Sequence, residues 1–321
     1  MAAQAVYFLL LPEVLLIDLA GAADAFLFAN RCAGKTLFEL HFIGPEAQPH
    51  SSLGLQLAGL AALPERLPQA AWLVIPGTLC QRFNPQTAAA QQAISWLTQC
   101  LAPQQRIICI CAGALIAAHA GLLRHKTATT HHTHLSELAS IDASIQVVSN
   151  RIYTDDGQLA CSAGVTAGID LTLQLLHQTQ GPALALAVAK AMLIYFRRGS
   201  QDAQLSPWLN HRNHLHRTVH KVQDLLSENP AHDWSLTELA AQAGSSSRHL
   251  NRLFKEHACI TVHDYLIALR LTLAQQFLQQ TDWSIEQIAG QAGFGSTRQF
   301  RRYWQDKFHQ PPSQFKRHHE N

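Results

Sequence analysis

Residues 106–123 read RIICICAGALIAAHAGLL, and this stretch contains the pattern of a strand, a tight turn and a helix. An apolar run leads to Cys111, and Ala112-Gly113 then open a segment of small residues with helical spacing. Apolar runs bounded by small turn residues are typical of buried strands in an α/β sheet. The stretch therefore predicts that a strand carries Cys111 into a turn before a helix, where a nucleophile or a ligand contact is displayed.

The same alternation extends outward from this stretch over the first part of the chain. Strands are predicted at 6–11, 38–43, 71–75, 107–110, 146–148, 152–154 and 159–162, and helices at 19–30, 86–100, 112–120, 169–178 and 183–196. Strands that alternate with helices favour a layered α/β sheet. From residue 213 onward the pattern is only helical, so we expect an α/β domain at 1–198, a linker at 199–212 and an all-α domain at 213–321.

Composition excludes several classes of protein. The chain has 321 residues, of which 47% are hydrophobic and 14% charged, so disorder is not expected. Seven cysteines without a C-x-x-C spacing predict free thiols in a reducing compartment. Neither a signal peptide nor a run of about 18 apolar residues is recognisable, so we expect a cytoplasmic protein without a membrane span.

Charge is spread unevenly between the two predicted domains. Residues 211–321 hold 13 basic and 10 acidic side chains, whereas residues 1–210 hold 11 basic and 12 acidic ones. This mild asymmetry is compatible with a nucleic-acid partner for the C-terminal domain.

A repeat organises that C-terminal domain. Residues 235–244 read SLTELAAQAG and residues 284–293 read SIEQIAGQAG. Each copy begins with a capping Ser, carries Glu or Gln three residues later, and ends at a Gly suited to the left-handed conformation. A second amphipathic helix follows each copy, so the pattern predicts two helix-turn-helix units.

The outward positions of the second helices carry side chains suited to DNA. Arg and Asn can bond base edges, and Ser, Thr and Lys can contact phosphates. An ordinary bundle with basic faces is the alternative, but two copies with matching caps and faces favour DNA. The predicted contacts are Ser247, Arg248, Asn251, Arg252 and Lys255 in the first unit, and Thr297, Arg298, Arg301 and Arg302 in the second.

These features resemble the AraC/XylS family of transcription regulators over residues 215–316. The ending FHQPPSQFK at 308–316 is similar to the family's closing F-G-x-x-P-S-x-F-R, with His309 in place of Gly. Gly295 stands where a capping Ser is common, which leaves the cap of the second recognition helix open. The resemblance implies a promoter DNA partner.

The first 195 or so residues resemble the ThiJ/PfpI superfamily, which has the fold of class I glutamine amidotransferases. The matching pieces include DLAG at 18–21, VIPG at 74–77, CAGA at 111–114, ATTH at 128–131 and SAGVTAGID at 162–170. The resemblance implies a flavodoxin-like layered sheet that binds a small effector and dimerises. It also implies an effector pocket formed by Asp18, Gly77, Thr78, Cys111, Ala112 and His131.

Catalysis at Cys111 is the alternative to effector binding. A helix N-terminus favours a thiolate and can lower the pKa of Cys111 below the ordinary value of about 8.5. However, Ala112 stands where peptidase members carry a His, and Thr78 replaces the second glycine of the oxyanion turn. The remaining possibilities are a ligand site, with oxidation sensing as one variant of it, and a buried structural thiol.

We interpret the chain as a transcription regulator and not an enzyme. A ThiJ/PfpI-type cysteine hydrolase with an accessory DNA-binding domain is the alternative. An amino-acid or amine-like effector and a homodimer follow from the resemblance, and no cofactor is expected. The segment His131–His134, with three histidines, is expected to be a solvated loop and not a metal site. The sequence does not reveal the operator, nor whether the protein activates or represses.

Overall fold

A computed structural model describes residues 3–102, 105–194, 198–200, 204, 211–212, 214 and 216–317. The chain divides into two compact units, Met1–Gln204 and Leu205–Asn321, each of which is described by itself. Most of the predicted linker at 199–212 lies outside the described residues.

The first unit is an α/β layered domain, as the sequence predicts. Its strands are β1 (Gln4–Leu9), β2 (Phe38–Gly44), β3 (Ala61–Ala62), β4 (Trp72–Ile75), β5 (Arg106–Ile110), β6 (Thr127–Ala128), β7 (Gln146–Val147), β8 (Tyr153–Asp155) and β9 (Leu159–Ser162). Its helices are α1 (Leu16–Ala33), α2 (Ala88–Cys100), α3 (Gly113–His119), α4 (Leu135–Ile141), α5 (Thr166–Gln180) and α6 (Pro182–Ala191).

The order of the strands determines where a ligand can bind. The main sheet runs β3-β2-β1-β4-β5-β9-β8, and only the β8–β9 pair is antiparallel. The chain moves outward from β1 to β2 and β3, and then crosses to β4 on the other side of β1. The β1–β4 boundary is therefore a topological switch point, where the carboxyl ends of the strands leave a crevice.

Both faces of the sheet are covered by apolar packing. In β5, Ile108 and Ile110 face a cluster that includes residues of α1, α5 and α6, whereas Ile107 and Cys109 face one that includes α2 and α3. Burial on both faces explains why the strands appear in the sequence as continuous apolar runs and not as alternating ones.

The turn after β5 requires a glycine. A Cβ atom at Gly113 would overlap the carbonyl oxygen of Ile75 at the end of the neighbouring strand β4. Only a residue without a side chain lets the N-terminus of α3 approach the sheet this closely. The turn therefore holds Cys111 directly against the end of β4.

Some boundaries differ from the prediction. The helix expected at 183–196 ends at Ala191, and the nearby Leu193 has a positive φ of 55° that a helix cannot contain. Residues 195 and 196 of that prediction lie outside the described residues. Strands β3 and β6 have two residues each, too few for a periodic pattern to show them. No helix in the described parts of the chain is long and apolar enough to cross a membrane.

The second unit is helical, as predicted. Its helices are α7 (Arg217–Glu228), α8 (Leu236–Gln242), α9 (Ser247–Leu253), α10 (Val262–Gln280), α11 (Ile285–Gln291), α12 (Thr297–Phe308) and α13 (Pro312–Arg317), and a π-helical turn, Phe254–Ala258, extends α9. Helices α8 and α9 form the first helix-turn-helix pair, and α11 and α12 form the second.

The caps that the repeat predicts are present in both pairs. Ser235 and Ser284 accept backbone N–H groups at the starts of α8 and α11, and the reciprocal capping box forms at Ser284. The glycines that follow the first helix of each pair have φ of 63° and 83°. Ser296, the residue after Gly295, caps α12, so the cap of the second recognition helix is identified. His309 takes the left-handed conformation where the family's motif carries Gly.

Two apolar clusters fill the second unit, and α10 belongs to both. Val262, Tyr265 and Leu269 of this helix pack with the first pair, while Leu271 and Leu278 pack with the second. A single continuous helix thus connects the cores of the two helix-turn-helix units.

Candidate functional site

Several chain segments meet at the carboxyl edge of the sheet, at the switch point. Asp18 lies in the first turn of α1, Gly77 follows β4, Cys111 follows β5, and Val165 follows β9. The structure thus brings together five of the six predicted pocket residues, namely Asp18, Gly77, Thr78, Cys111 and Ala112.

Asp18 is the central residue of this group. Its carboxylate Oδ2 accepts the backbone N–H of Gly77 at 3.2 Å, and Oδ1 accepts the backbone N–H of Val165 at 2.6 Å. The side chain is almost completely buried, with 1% exposed. Burial raises the pKa of Asp18, because the charged form loses its hydration, and the two N–H donors oppose that rise.

Backbone strain accompanies this arrangement. Cys111 has a φ of 55°, and Val165 has φ 52° and ψ −123°. The Val165 angles belong to the second position of a type II′ turn, which normally requires Gly, and the N–H of Ala167 closes the turn on the carbonyl of Gly164 at 2.9 Å. A β-branched residue at positive φ costs on the order of 1–3 kcal/mol, and such strain clusters at functional sites.

Two glycines leave the space that the Cys111 side chain occupies. A Cβ atom at Gly164 would lie 2.7 Å from the Cys111 Sγ, and one at Gly77 would lie 2.7 Å from the Cys111 Cβ. The thiol is therefore enclosed by backbone and is only 4% exposed. The close packing fixes its position relative to Asp18.

The prediction of an acidic thiol is wrong. Burial and the negative charge of Asp18 together raise the pKa of Cys111 well above its ordinary value. The N–H of Ala112 at the start of α3 favours the thiolate, but its effect is smaller. Cys111 is therefore a protonated thiol at neutral pH, because desolvation outweighs the N-terminus of a short helix.

The donor expected for an oxyanion is also engaged. The N–H of Gly77, the first residue of the predicted oxyanion turn, points to Asp18 Oδ2. The neighbouring Thr78 forms an antiparallel bridge with Val14, so this turn is also held by backbone pairing. An acyl-transfer enzyme needs donors aimed at the developing charge of the substrate. In this site the N–H of Gly77, which would be such a donor, instead binds the carboxylate of Asp18.

His131, the sixth predicted pocket residue, makes its side-chain hydrogen bond within its own segment. Its Nδ1 lies 2.8 Å from the Thr133 hydroxyl, within its own segment. Burial and the neighbouring histidines lower the pKa of His131. The contact from this segment to Cys111 comes instead from Thr130, whose hydroxyl donates to the Cys111 carbonyl at 2.7 Å.

The segment around His131 is not the predicted solvated loop. Residues His132–His134 form a 3-10 turn, and His134 is 5% exposed. His134 Nδ1 lies 3.0 Å from Glu137 Oε2, and Glu137 Oε1 accepts the N–H of Phe83. In the part of the chain that the structure describes, no group of three or more His, Cys, Asp or Glu is arranged to hold a metal ion.

Residues that sequence analysis missed complete the site. Val165 contributes a main-chain N–H and Thr130 contributes a hydroxyl toward a main-chain carbonyl. A backbone donor leaves no mark in residue identity. The one indication of this turn in the sequence is a glycine, Gly164, which takes a φ of 83° in the structure.

The predicted DNA contacts lie on the second helix of each helix-turn-helix pair. The basic side chains among them are exposed, while Ser247, Asn251 and Thr297 are half-buried. Arg252 lies 3.3 Å from Glu256 and Arg301 lies 3.3 Å from Glu286, both exposed pairs that contribute little to stability. The residues on α9 and the turn that extends it are Ser247, Arg248, Asn251, Arg252 and Lys255, and those on α12 are Thr297, Arg298, Arg301 and Arg302.

The raised pKa of Cys111 predicts its reactivity. Alkylation by iodoacetamide should be slow at pH 7 and should rise continuously up to pH 9, because the thiolate is the nucleophile. Asp18→Asn removes the nearby negative charge that raises the pKa of Cys111 and should therefore speed alkylation by about tenfold. Peptide mass spectrometry measures each cysteine, and the exposed Cys32 and Cys259 serve as references. A rate for Cys111 that reaches its plateau below pH 8 would contradict the assignment.

Comparisons with known proteins agree with both halves of the fold. Residues 5–178 match the DJ-1/PfpI family, and residues 239–318 match a helix-turn-helix domain. The chain is 29% identical over 311 residues to the HTH-type transcriptional regulator GbdR of Pseudomonas aeruginosa. The aligned region covers 96% of this chain and 83% of that protein.

Two other comparisons cover slightly more than half of the chain. The chain is 31% identical over 178 residues to isonitrile hydratase of Pseudomonas putida, covering 54% of this chain and 71% of that enzyme. A crystal structure of an AraC family transcriptional regulator from Pseudomonas putida superimposes with a TM-score of 0.51 at 22% identity, covering 59% of this chain and 99% of that one. The chain therefore belongs to the DJ-1/PfpI family, and within it to the helix-turn-helix transcription regulators of the AraC type.

Proposed function

We propose that the α/β unit binds a small effector at the Asp18–Cys111 site without converting it, and that binding alters the affinity of the helical unit for promoter DNA. The observation that carries this proposal is the double engagement of Asp18 by the N–H groups of Gly77 and Val165. It engages the N–H of Gly77, the first residue of the predicted oxyanion turn, and links the site to the backbone of two segments. An effector acts by binding one arrangement of these segments better than another.

The chemistry of the site favours a nitrogenous effector. A buried carboxylate attracts a cation or an N–H donor, and each carboxylate oxygen can accept more than one hydrogen bond. The chain neighbours of the site residues, Ile17, Leu79 and Val165, are exposed apolar side chains. An amine or amino acid with a small apolar part would match both features.

Thermal stability measures effector binding directly. A bound amine should raise the melting temperature of the wild-type chain, since a ligand at 100 times its dissociation constant stabilises the folded state by about 2.7 kcal/mol. Asp18→Asn should abolish the shift. Asp24→Asn is the matched control, because Asp24 is an exposed carboxylate on the same helix. A shift that survives Asp18→Asn would place the effector elsewhere.

The same site should not turn over substrate. The similarity to isonitrile hydratase names one compound class to test, and we expect no conversion of an isonitrile by the purified full-length chain. The reason is that Cys111 is protonated and Ala112 supplies no base. Product formation that disappears in Cys111→Ala would contradict the proposal and favour the enzyme alternative.

The DNA-binding part of the proposal follows from the paired recognition helices. Helices α9 and α12 would enter successive major grooves on one face of the duplex, roughly 34 Å apart. The α/β unit would mediate a homodimer, with residues 1–198 as the sensing domain and 199–212 as the linker. A protein that binds promoter DNA would act in the cytoplasm of a bacterial cell.

Substitution of one arginine on each recognition helix tests the assignment of the DNA-binding face. Arg248→Ala and Arg298→Ala should each weaken binding to a duplex selected from a random pool by about 1–3 kcal/mol, if they contact bases. Arg66→Ala removes the same charge from an exposed position of the α/β unit and should leave affinity unchanged. Affinity that is unaltered in both recognition-helix variants would refute the assignment of the DNA-binding face.

A further inference from the structure

The last described residue of the α/β unit, Gln204, is held by three oxygen atoms. Its Nε2 lies 2.8 Å from the carbonyl of Arg151, 2.9 Å from that of Thr130 and 3.3 Å from the Thr129 hydroxyl. Gln204 is only 7% exposed, and the chain passes into the helical unit at the next residue. A buried amide thus anchors the point at which the chain leaves the domain.

The anchor is one residue removed from the candidate site. Thr130 accepts Gln204 through its carbonyl, and its hydroxyl donates to the carbonyl of Cys111 at 2.7 Å. Thr130 is completely buried, so neither bond competes with water. Two hydrogen bonds in series therefore connect Gln204 with the strained turn that carries Cys111.

A second anchor on the same segment leads to the other side of the site. The Arg198 guanidinium donates to Asp170 Oδ2 at 2.8 Å and to the Thr166 hydroxyl at 2.7 Å. Thr166 directly follows Val165, whose N–H holds Asp18. Arg198 and Gln204 are therefore tied to the two backbone segments that flank the Asp18–Cys111 pair.

The Gln204 anchor is incompletely satisfied. An amide nitrogen has two N–H groups, and here it faces three acceptors. Its Oε1 atom is buried, with no hydrogen-bond partner in the part of the chain that the structure describes. A buried acceptor without a partner costs free energy, so the anchor is weaker than its burial suggests and can be released by a small change.

We propose that Gln204 is a latch that couples the state of the Asp18–Cys111 site to the chain leading into the DNA-binding unit. Occupation of the site moves the Cys111 turn, shifts Thr130 through its hydroxyl, and weakens or strengthens the hold on Gln204. By thermodynamic reciprocity, release of Gln204 must also alter the Cys111 turn. The inference rests on the proposed function, and it makes Gln204 a positioning residue that touches no ligand.

Reciprocity allows a test that needs no effector. Gln204→Met keeps the length of the side chain but removes the donor, and should raise the rate of Cys111 alkylation by iodoacetamide at pH 8 by about three- to tenfold, the effect of one net hydrogen bond on a local opening. Gln178→Met is the matched control, because Gln178 is exposed and bonds Asp155 elsewhere. The completely buried Cys109 and Cys161 must remain protected, which excludes global unfolding.

A second pair of variants keeps the test valid if Gln204→Met does not fold. Thr130→Val removes the hydroxyl in the middle of the path and should raise the rate of Cys111 alkylation similarly. Thr130→Ser keeps a hydroxyl at this position, so its Cys111 should be alkylated at the wild-type rate. A Cys111 rate within about twofold of wild type in a folded Gln204→Met or Thr130→Val chain overturns the latch.

Affinity for the selected duplex tests the output of the latch. Gln204→Met and Thr130→Val should each change the dissociation constant in the same direction by about fivefold or more, and the double variant should add nothing further. Additive effects overturn the proposal, since they place the two residues on separate paths. If no amine raises the melting temperature but this non-additive change in the dissociation constant occurs, the latch is supported and only the proposed amine effector is refuted.

Discussion

The arrangement of the site depends on one carboxylate that accepts two backbone N–H groups from distant parts of the chain. Asp18, which follows β1, bonds the turn after β4 and the turn after β9, two strands on the other side of the position where the strand order reverses. The carboxylate is buried and its pKa is raised, so its bonds are formed in a low-dielectric environment where each contributes strongly. The strained φ of Val165 persists because this bond and the packing around it specify the turn completely.

The same geometry that places Cys111 between a strand and a helix N-terminus does not give it an acidic thiol. The pKa of a thiol at a helix N-terminus falls when hydrogen-bond donors stabilise the thiolate by more than burial destabilises it. At Cys111, desolvation and the negative charge of Asp18 exceed the single donor from Ala112. The fold therefore retains the position of a nucleophile while the surrounding groups favour its neutral form.

The sequence predicts the fold well because its main determinants are local. The apolar run before Cys111 and the repeat from Ser235 to Gly293 define their strands, helices and caps through nearest neighbours. The sequence places Asp18, Gly77 and Cys111 near one another but does not predict the electrostatics, since the pKa of Cys111 depends on burial by residues far apart in the chain. His131 shows the same limit, because its identity suggests a base while its ring bonds Thr133. The N–H of Val165 could not be predicted, because any residue supplies one.

The shared helix α10 also acts as a rigid spacer between the two DNA-binding elements. Its 19 residues span about 28 Å, and its two ends are packed into different cores. Because an α-helix turns by about 100° for each residue, inserting one residue into α10 would rotate one recognition helix out of phase with the other. The length of this single uninterrupted helix thus fixes the angle between the two helix-turn-helix units about its axis.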